Sequence, residues 1–327
     1  MRGFGTSATM LVASGKNIPA EFIDCCYGLS KTTGMNLRFT YVCPSEAGSS
    51  AYLGHAYVGA HANHLKDSLR LWHEDSAQKA LDKNLAGLEG KSRFTTSVRT
   101  GDIASAIFTD AAQCGASLII CSAQKESYKS MFKGSSTSLS LLTGSRLPVL
   151  VLPDKGGSLP DFSKDLKIIV ADDLETTPQA ALGVACQFAA AIGHVTLYHV
   201  HVTDEEKELR GYIARLKMAM NLSQIPYDEA VSEESAMENF RASLKEKMHA
   251  RMSPYQETLE KASCHLEVKV LAGQVTEALS GFRDSVGADM LVFGRHSFVH
   301  SKPFGIGKLP FRAMMEMKSP VMMVPPL

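Results

Sequence analysis

The feature that most constrains this chain is an internal repeat. SVRTGDIASAI (97–107) lies on EVKVLAGQVTEAL (267–279), CGASLIICS (114–122) on VGADMLVFG (286–294), and LPVLVLP (147–153) on SPVMMVPP (319–326). From Gly101 and Gly273 to Pro148 and Pro320 the two copies run at one constant offset. Similarity of this kind means one folding unit present twice. The 327 residues of the chain are also more than a single hydrophobic core usually serves.

The openings of the halves agree with this. TMLVASG (9–15) starts the first, and LKIIVADD (166–173) starts the second after a Gly/Ser/Pro-containing linker, 154–165. Each is followed by a proline near a helix start, Pro19 and Pro178, where a missing N–H costs little. Each helix then ends at a glycine, Gly34 or Gly193, before the strands NLRFTYVCP and HVTLYHVHV. Each half therefore reads β-α-β-α-β-α-β-α-β. The strands are short, continuous and rich in Val, Ile and Leu, as they are when helices cover both faces of a parallel sheet. The expected fold is α/β, with two tandem doubly wound five-stranded parallel sheets and domains at 1–157 and 158–327. Ligands of such sheets sit at the carboxyl ends of the strands, near the switch in strand order.

The middles of the halves differ. Residues 44–62 read as a Gly/Ser/Ala-rich loop before a helix from Asn63 to Leu88. In the second half, helices over Asp204–Asn221 and Glu234–Ala262 are charged and Met-spotted, with the spacing of amphipathic covers.

Composition narrows the function. Lys and Arg number 34 against 34 Asp and Glu, so a basic nucleic-acid or membrane surface is not expected. No apolar run approaches the roughly 18 residues of a membrane span, and the N-terminus lacks the pattern of a signal peptide. The seven cysteines form no CxxC pair, which fits reduced thiols and a cytoplasmic setting.

At this point the chain resembles a tandem universal stress protein over almost its whole length, apart from the linker and helical insertions. The family's nucleotide-binding members carry an Asp after the first strand and a Gly-x2-Gly-x9-Gly-Ser/Thr stretch before the last helix. In the second half, GRHSFVHSKPFGIGK keeps Gly294 and Gly307 at the first and third glycine positions. Ser297 replaces the second glycine and Lys308 the hydroxyl residue. Glycines let backbone approach phosphates, and the helix that follows offers free N–H groups. Ser297 adds a Cβ there, whereas Lys308 supplies a cation. Asp173, Val200 and Gly273 match further family positions, and His296 lies inside the motif. The resemblance thus implies ATP, an AMP-like nucleotide or another small ligand in the second domain only, at Asp173, Val200, Gly273, Gly294, His296, Ser297, Gly307 and Lys308. It also implies strand order 3-2-1-4-5 and an intrachain pseudo-dimer in which the final strands, 149–153 and 321–325, adjoin. Pairing there would remove two open sheet edges. A further homodimer stays open.

The first half departs more. Gly15 stands where the Asp belongs, and Ser122, Lys125 and Ser135 replace the glycines, with Ser136 keeping the hydroxyl. Sliding one position recovers Gly134 but places Cys121 and Gln124 at the other sites. This half is expected to support the pair rather than bind ATP.

Other motifs are set aside. FGIGKLP lacks the spacing and hydroxyl of a P-loop. VASGK lacks the later residues of an ATP-pyrophosphatase loop, and GHAYVGAH matches no HxGH adenylyl-transfer motif. His194, His199 and His201, the group His55, His61 and His64, and the pair His296 and His300 have spacings too unspecific for a zinc site, and read as polar strand-end or surface residues. Of the adjacent Cys25 and Cys26, helical geometry assigns one to the core. No nucleophile elbow, catalytic base or metal pair is present, which favours a binding protein over an enzyme. Three readings follow: a stress-response protein binding a small ligand in its second domain, an interaction protein whose motifs have decayed, and a slow ATPase.

Overall fold

The structure, a computed structural model, describes residues 3–15, 18–44, 60–88, 94–123, 137–153, 157–174, 178–222, 233–295, 308–315 and 317–326. The chain forms two compact units, one of residues 1–164 with 318–325 and one of residues 165–317 with 326–327.

The first unit contains β1 (Thr9–Ser14), α1 (Ala20–Thr33), β2 (Asn36–Pro44), α2 (Ala60–Leu85), β3 (Phe94–Gly101), α3 (Ile103–Gln113), β4 (Ala116–Ala123), α4 (Thr137–Gly144) and β5 (Val149–Pro153). Its strands run in the order β3-β2-β1-β4-β5, all parallel. The last strand of the chain, β10 (Val321–Val324), completes this sheet. It lies antiparallel to β5, with Val321 opposite Val151, Met322 opposite Leu150 and Met323 opposite Val149. The expected pairing of final strands is therefore present. Every residue of β5 and β10 is buried, so a row of apolar side chains that would otherwise form an open edge is covered.

The second unit contains β6 (Leu166–Ala171), α5 (Pro178–Ile192), β7 (Val195–Thr203), α6 (Glu205–Leu222), α7 (Glu233–Met252), α8 (Gln256–Lys261), β8 (His265–Ala272), α9 (Val275–Val286), β9 (Met290–Gly294) and α10 (Lys308–Met315). Its parallel strands run β8-β7-β6-β9. With β10 the second repeat follows the same 3-2-1-4-5 scheme as the first.

The repeat is visible residue by residue. Gly101 and Gly273, at the β3–α3 and β8–α9 turns, have φ of 126° and 116°, a conformation an L side chain rarely adopts. The helices that follow begin differently. Asp102 caps α3 by accepting from Ser105 N at 2.9 Å, whereas Gln274 at the same place before α9 makes no side-chain cap.

Two sequence expectations need correction. The helix expected over Glu234–Ala262 is broken into α7, a 3-10 turn at Ser253–Tyr255 and α8. Pro254 is the cause, since it has no N–H to continue the helical ladder. Cys25 and Cys26 are both buried rather than one of them. Residues 160–162 lie over α1: Cys25 Sγ is 3.6 Å from Pro160 O, and Thr32 Oγ1 donates to Phe162 O at 2.9 Å. Burial pushes the Cys25 thiol up to about 12. None of the seven cysteines is in a disulfide.

In the first unit a buried carboxylate ties α3 to the sheet. Asp110 accepts from Arg38 Nε and Nη2 at 2.8 Å each, from Thr40 Oγ1 at 2.6 Å and from Arg99 Nε at 3.1 Å. Burial alone would raise its pKa, but these donors hold it well below the usual carboxylate range.

Candidate functional site at the carboxyl edge of the second repeat

The switch in strand order of the second repeat lies at β6, which pairs with β7 on one side and β9 on the other. At its carboxyl end Ala171 is in register with Val200 of β7 and Phe293 of β9. The next residues along the chain, Asp172 and Asp173, therefore emerge beside Gly294 and Arg295, which follow Phe293.

The two aspartates have different environments. Asp173 is exposed, while Asp172 is buried. The Asp172 carboxylate contacts His199 Nε2 at 2.8 Å and Arg251 Nη1 at 3.1 and 3.2 Å, and it accepts from Leu174 N at 2.6 Å. An ionised carboxylate only accepts, so His199 Nε2 carries the proton of that bond. His199 Nδ1 is buried and has no partner among the described residues. The Asp172 backbone is held as well: its N donates to Val200 O at 2.9 Å, and its carbonyl accepts from His201 Nδ1 at 2.8 Å. Burial works to raise the pKa of Asp172. The His199 and Leu174 hydrogen bonds and the charges of His199 and Arg251 outweigh it and bring the value down.

Arg251, from the last turn of α7, does more than neutralise Asp172. Its Nη2 donates to Leu174 O at 2.5 Å. Leu174 has φ of 61°, a left-handed conformation that costs a branched residue about 1–2 kcal/mol. One guanidinium thus bonds both the carboxylate and the carbonyl of a three-residue turn, and Asp173 lies between the two. The helical insertion that distinguishes the second repeat supplies this clamp.

The remaining expected residues divide as follows. Val200 is buried on β7. Gly273 N donates to Thr203 O at 3.0 Å, which joins the β8–α9 turn to the end of β7, and a Cβ on Gly273 would meet nothing within 4 Å. Gly294 ends β9, and Lys308 opens α10. His296, Ser297 and Gly307 lie outside the described residues, as do Lys125, Ser135 and Ser136 of the first repeat. The structure thus brings Asp173, Val200, Gly273 and Gly294 to one edge of one sheet.

Sequence reasoning missed Asp172, Arg251 and Arg295. Arg295 is buried directly after β9, and burial pushes its pKa down. It also misjudged His199 and His201, which are buried partners of Asp172 rather than surface residues. Their i,i+2 spacing on a strand was the available signal, since it places both on one face. Among the described residues no group of three or more His, Cys, Asp or Glu is arranged to hold a metal ion. No helix among them is long and apolar enough to cross a membrane.

The universal stress protein family matches residues 166–325. The whole chain resembles the crystal structure of a universal stress protein from Archaeoglobus fulgidus DSM 4304, at a TM-score of 0.56 and 16% identity, covering 99% of this chain and 98% of that one. It resembles equally a functionally unknown protein from Pseudomonas aeruginosa PAO1, at 0.56 and 14% identity, covering 98% and 94%. At such identities the likeness is one of fold. No curated protein sequence matches the chain. The match to the universal stress protein family thus covers the second repeat, and the first repeat has the same strand order, 3-2-1-4-5.

Proposed function

We propose that the second repeat binds an adenine nucleotide at the carboxyl edge of β6 and β9, in a cytoplasmic protein with a stress-response role. The observation that carries this reading is the exposed carboxylate of Asp173 at the strand-order switch, on a turn fixed by the Asp172–Arg251 clamp. A carboxylate there accepts hydrogen bonds from a ribose or a base. Gly273, with its open space and positive φ, admits backbone close to a ligand. The phosphates would fall to Gly294, Ser297, Gly307 and Lys308 ahead of α10, where helix N–H groups favour an anion. His296 belongs to the same segment.

The first repeat lacks the acid. Its register places Gly15 opposite Asp173 and Ser14 opposite Asp172, and its β3–α3 turn already carries the carboxylate of Asp102 on the helix N-terminus. A second reading, an interaction protein in which neither repeat binds nucleotide, rests on the substitutions Ser297 and Lys308.

The test is direct. Protein denatured after purification releases its nucleotide for mass spectrometry, and calorimetric titration with ATP, with and without Mg²⁺, follows. Binding that Asp173→Ala weakens at least tenfold supports the proposal. No binding at millimolar ATP overturns it, and recovery of affinity in Ser297→Gly with Lys308→Ser identifies those two changes as the cause.

A further inference from the structure

The first repeat contains a cleft of about 440 Å³ at the amino-terminal edge of β4 and β5, where α3 and α4 end. That volume falls in the range of small-molecule sites, roughly 300–1,000 Å³. It lies at the opposite strand ends from the nucleotide reading and is independent of it.

The duplication explains why the space exists. Ala111 and Ala112, which line the cleft, stand where the second repeat has Arg283 and Asp284. There the Arg283 side chain fills the corresponding position and donates from Nη1 to Met317 O at 2.8 Å, tying α9 to the turn before β10. Alanine leaves that volume empty. Ser117 likewise replaces Asp289, whose carboxylate accepts from Lys167 N at 2.8 Å. The Ser117 hydroxyl is buried and has no hydrogen-bond partner among the described residues. One wall is apolar because Gly144 lets the Phe108 ring lie close; a Cβ there would come within 3.0 Å of it.

The cleft also has a defined charge. Arg146 lines it, is exposed, and is paired with no carboxylate among the described residues. Carbonyls at the two helix ends are already taken, Asp110 O by Cys114 N at 2.9 Å and Leu141 O by Ser145 N at 3.0 Å. The charge a ligand meets is therefore that of the guanidinium, whose planar fork matches a carboxylate.

We infer that this cleft binds a small amphipathic carboxylate, its apolar part over Ile119 between Phe108 and Ala111 and its carboxylate on Arg146. Octanoate is the probe and octanol its uncharged control, both followed by ligand-observed NMR against the full chain. The expected result is binding of octanoate that Arg146→Gln weakens at least tenfold while octanol is unaffected. Ala111→Leu, which refills the cleft, should abolish both. Absence of octanoate binding at millimolar concentration overturns the inference. So does octanoate affinity that survives Arg146→Gln, or that survives Ala111→Leu in protein whose circular dichroism is unchanged. If Ala111→Leu does not fold, the Arg146→Gln comparison decides alone.

Discussion

Replacing Arg251 with methionine tests whether the helical insertion holds the β6–α5 turn. Methionine keeps much of the packing volume but removes the charge, both contacts to Asp172 and the bond to Leu174 O. The Asp172 side chain is fully buried and that of Arg251 is 17% exposed. Removing one partner of a buried ion pair costs about 3–5 kcal/mol when nothing else satisfies the other. Asp172 still has His199 Nε2 and Leu174 N, so we place the loss at about 2–3 kcal/mol, near the cost of a buried charge short of one donor. For a unit of this size each kcal/mol lowers Tm by about 2–4 °C, hence about 4–12 °C here. Hydrogen exchange over residues 166–192 reads the second unit, and fluorescence of Trp72, the single tryptophan, reads the first. Exchange should accelerate at the turn while the Trp72 transition stays in place. The pH dependence follows from the lowered pKa of Asp172. Such a group stabilises the fold above its unfolded value, about 3.9, and the contribution is lost as pH falls through the folded value. The difference between wild type and variant should therefore be constant above about pH 5 and close below pH 4. A loss under about 0.5 kcal/mol, the scatter of unremarkable surface changes, would refute the clamp.

Three further outcomes are expected. Asp110→Ala strips the partner from Arg38 and Arg99 and should cost the first unit about 3 kcal/mol, seen as an earlier Trp72 transition in urea. Gln274→Asp gives α9 the cap that Asp102 gives α3, and should add about 0.5–1 kcal/mol in thermal unfolding; if nucleotide sits at this edge, the new carboxylate should also weaken ATP in calorimetry. Gly273→Ala forces a Cβ onto a φ of 116° and should cost about 1–3 kcal/mol although nothing crowds the position, which denaturant unfolding will show.

Much of this architecture was legible in the sequence because duplication writes the same physical demand twice. Gly101 and Gly273 occupy equivalent turns with nearly equal φ, and the strands that come next, β4 and β9, are continuous and mostly buried. The final-strand pairing was implied by the family resemblance, and the apolar runs VLVLP and VMMVP, which pairing keeps from lying at open edges, agree with it. The helix break at Pro254 was missed because the charged, Met-spotted periodicity runs through it, and a period does not register a missing N–H. Arg251 was beyond reach for a different reason. Its partners are 77 and 79 residues away in the chain, and nothing in one amphipathic helix says which of its cations turns inward.

The same limit explains why the acid at the site was only half read. Sequence register points to Asp173 and is silent on its neighbour. Yet consecutive side chains leaving a strand take opposite faces, so Asp172 is carried inward as Asp173 is carried to the edge. An inward carboxylate needs donors, and the fold provides them from three elements: His199 on β7, Leu174 N in the turn and Arg251 on α7. The first repeat never meets this demand. Its register puts Ser14 and Phe39 where the second has Asp172 and His199, and Ser14 Oγ donates to Thr40 O at 3.2 Å. Loss of the outward acid, Asp173 against Gly15, thus coincides with loss of the inward one. Asp172→Ser with His199→Phe would transplant the first repeat's solution into the second. If the inward acid serves only the fold, ATP affinity should survive in the folded variant. If it holds Asp173 in place, calorimetry will show a loss comparable to that of Asp173→Ala.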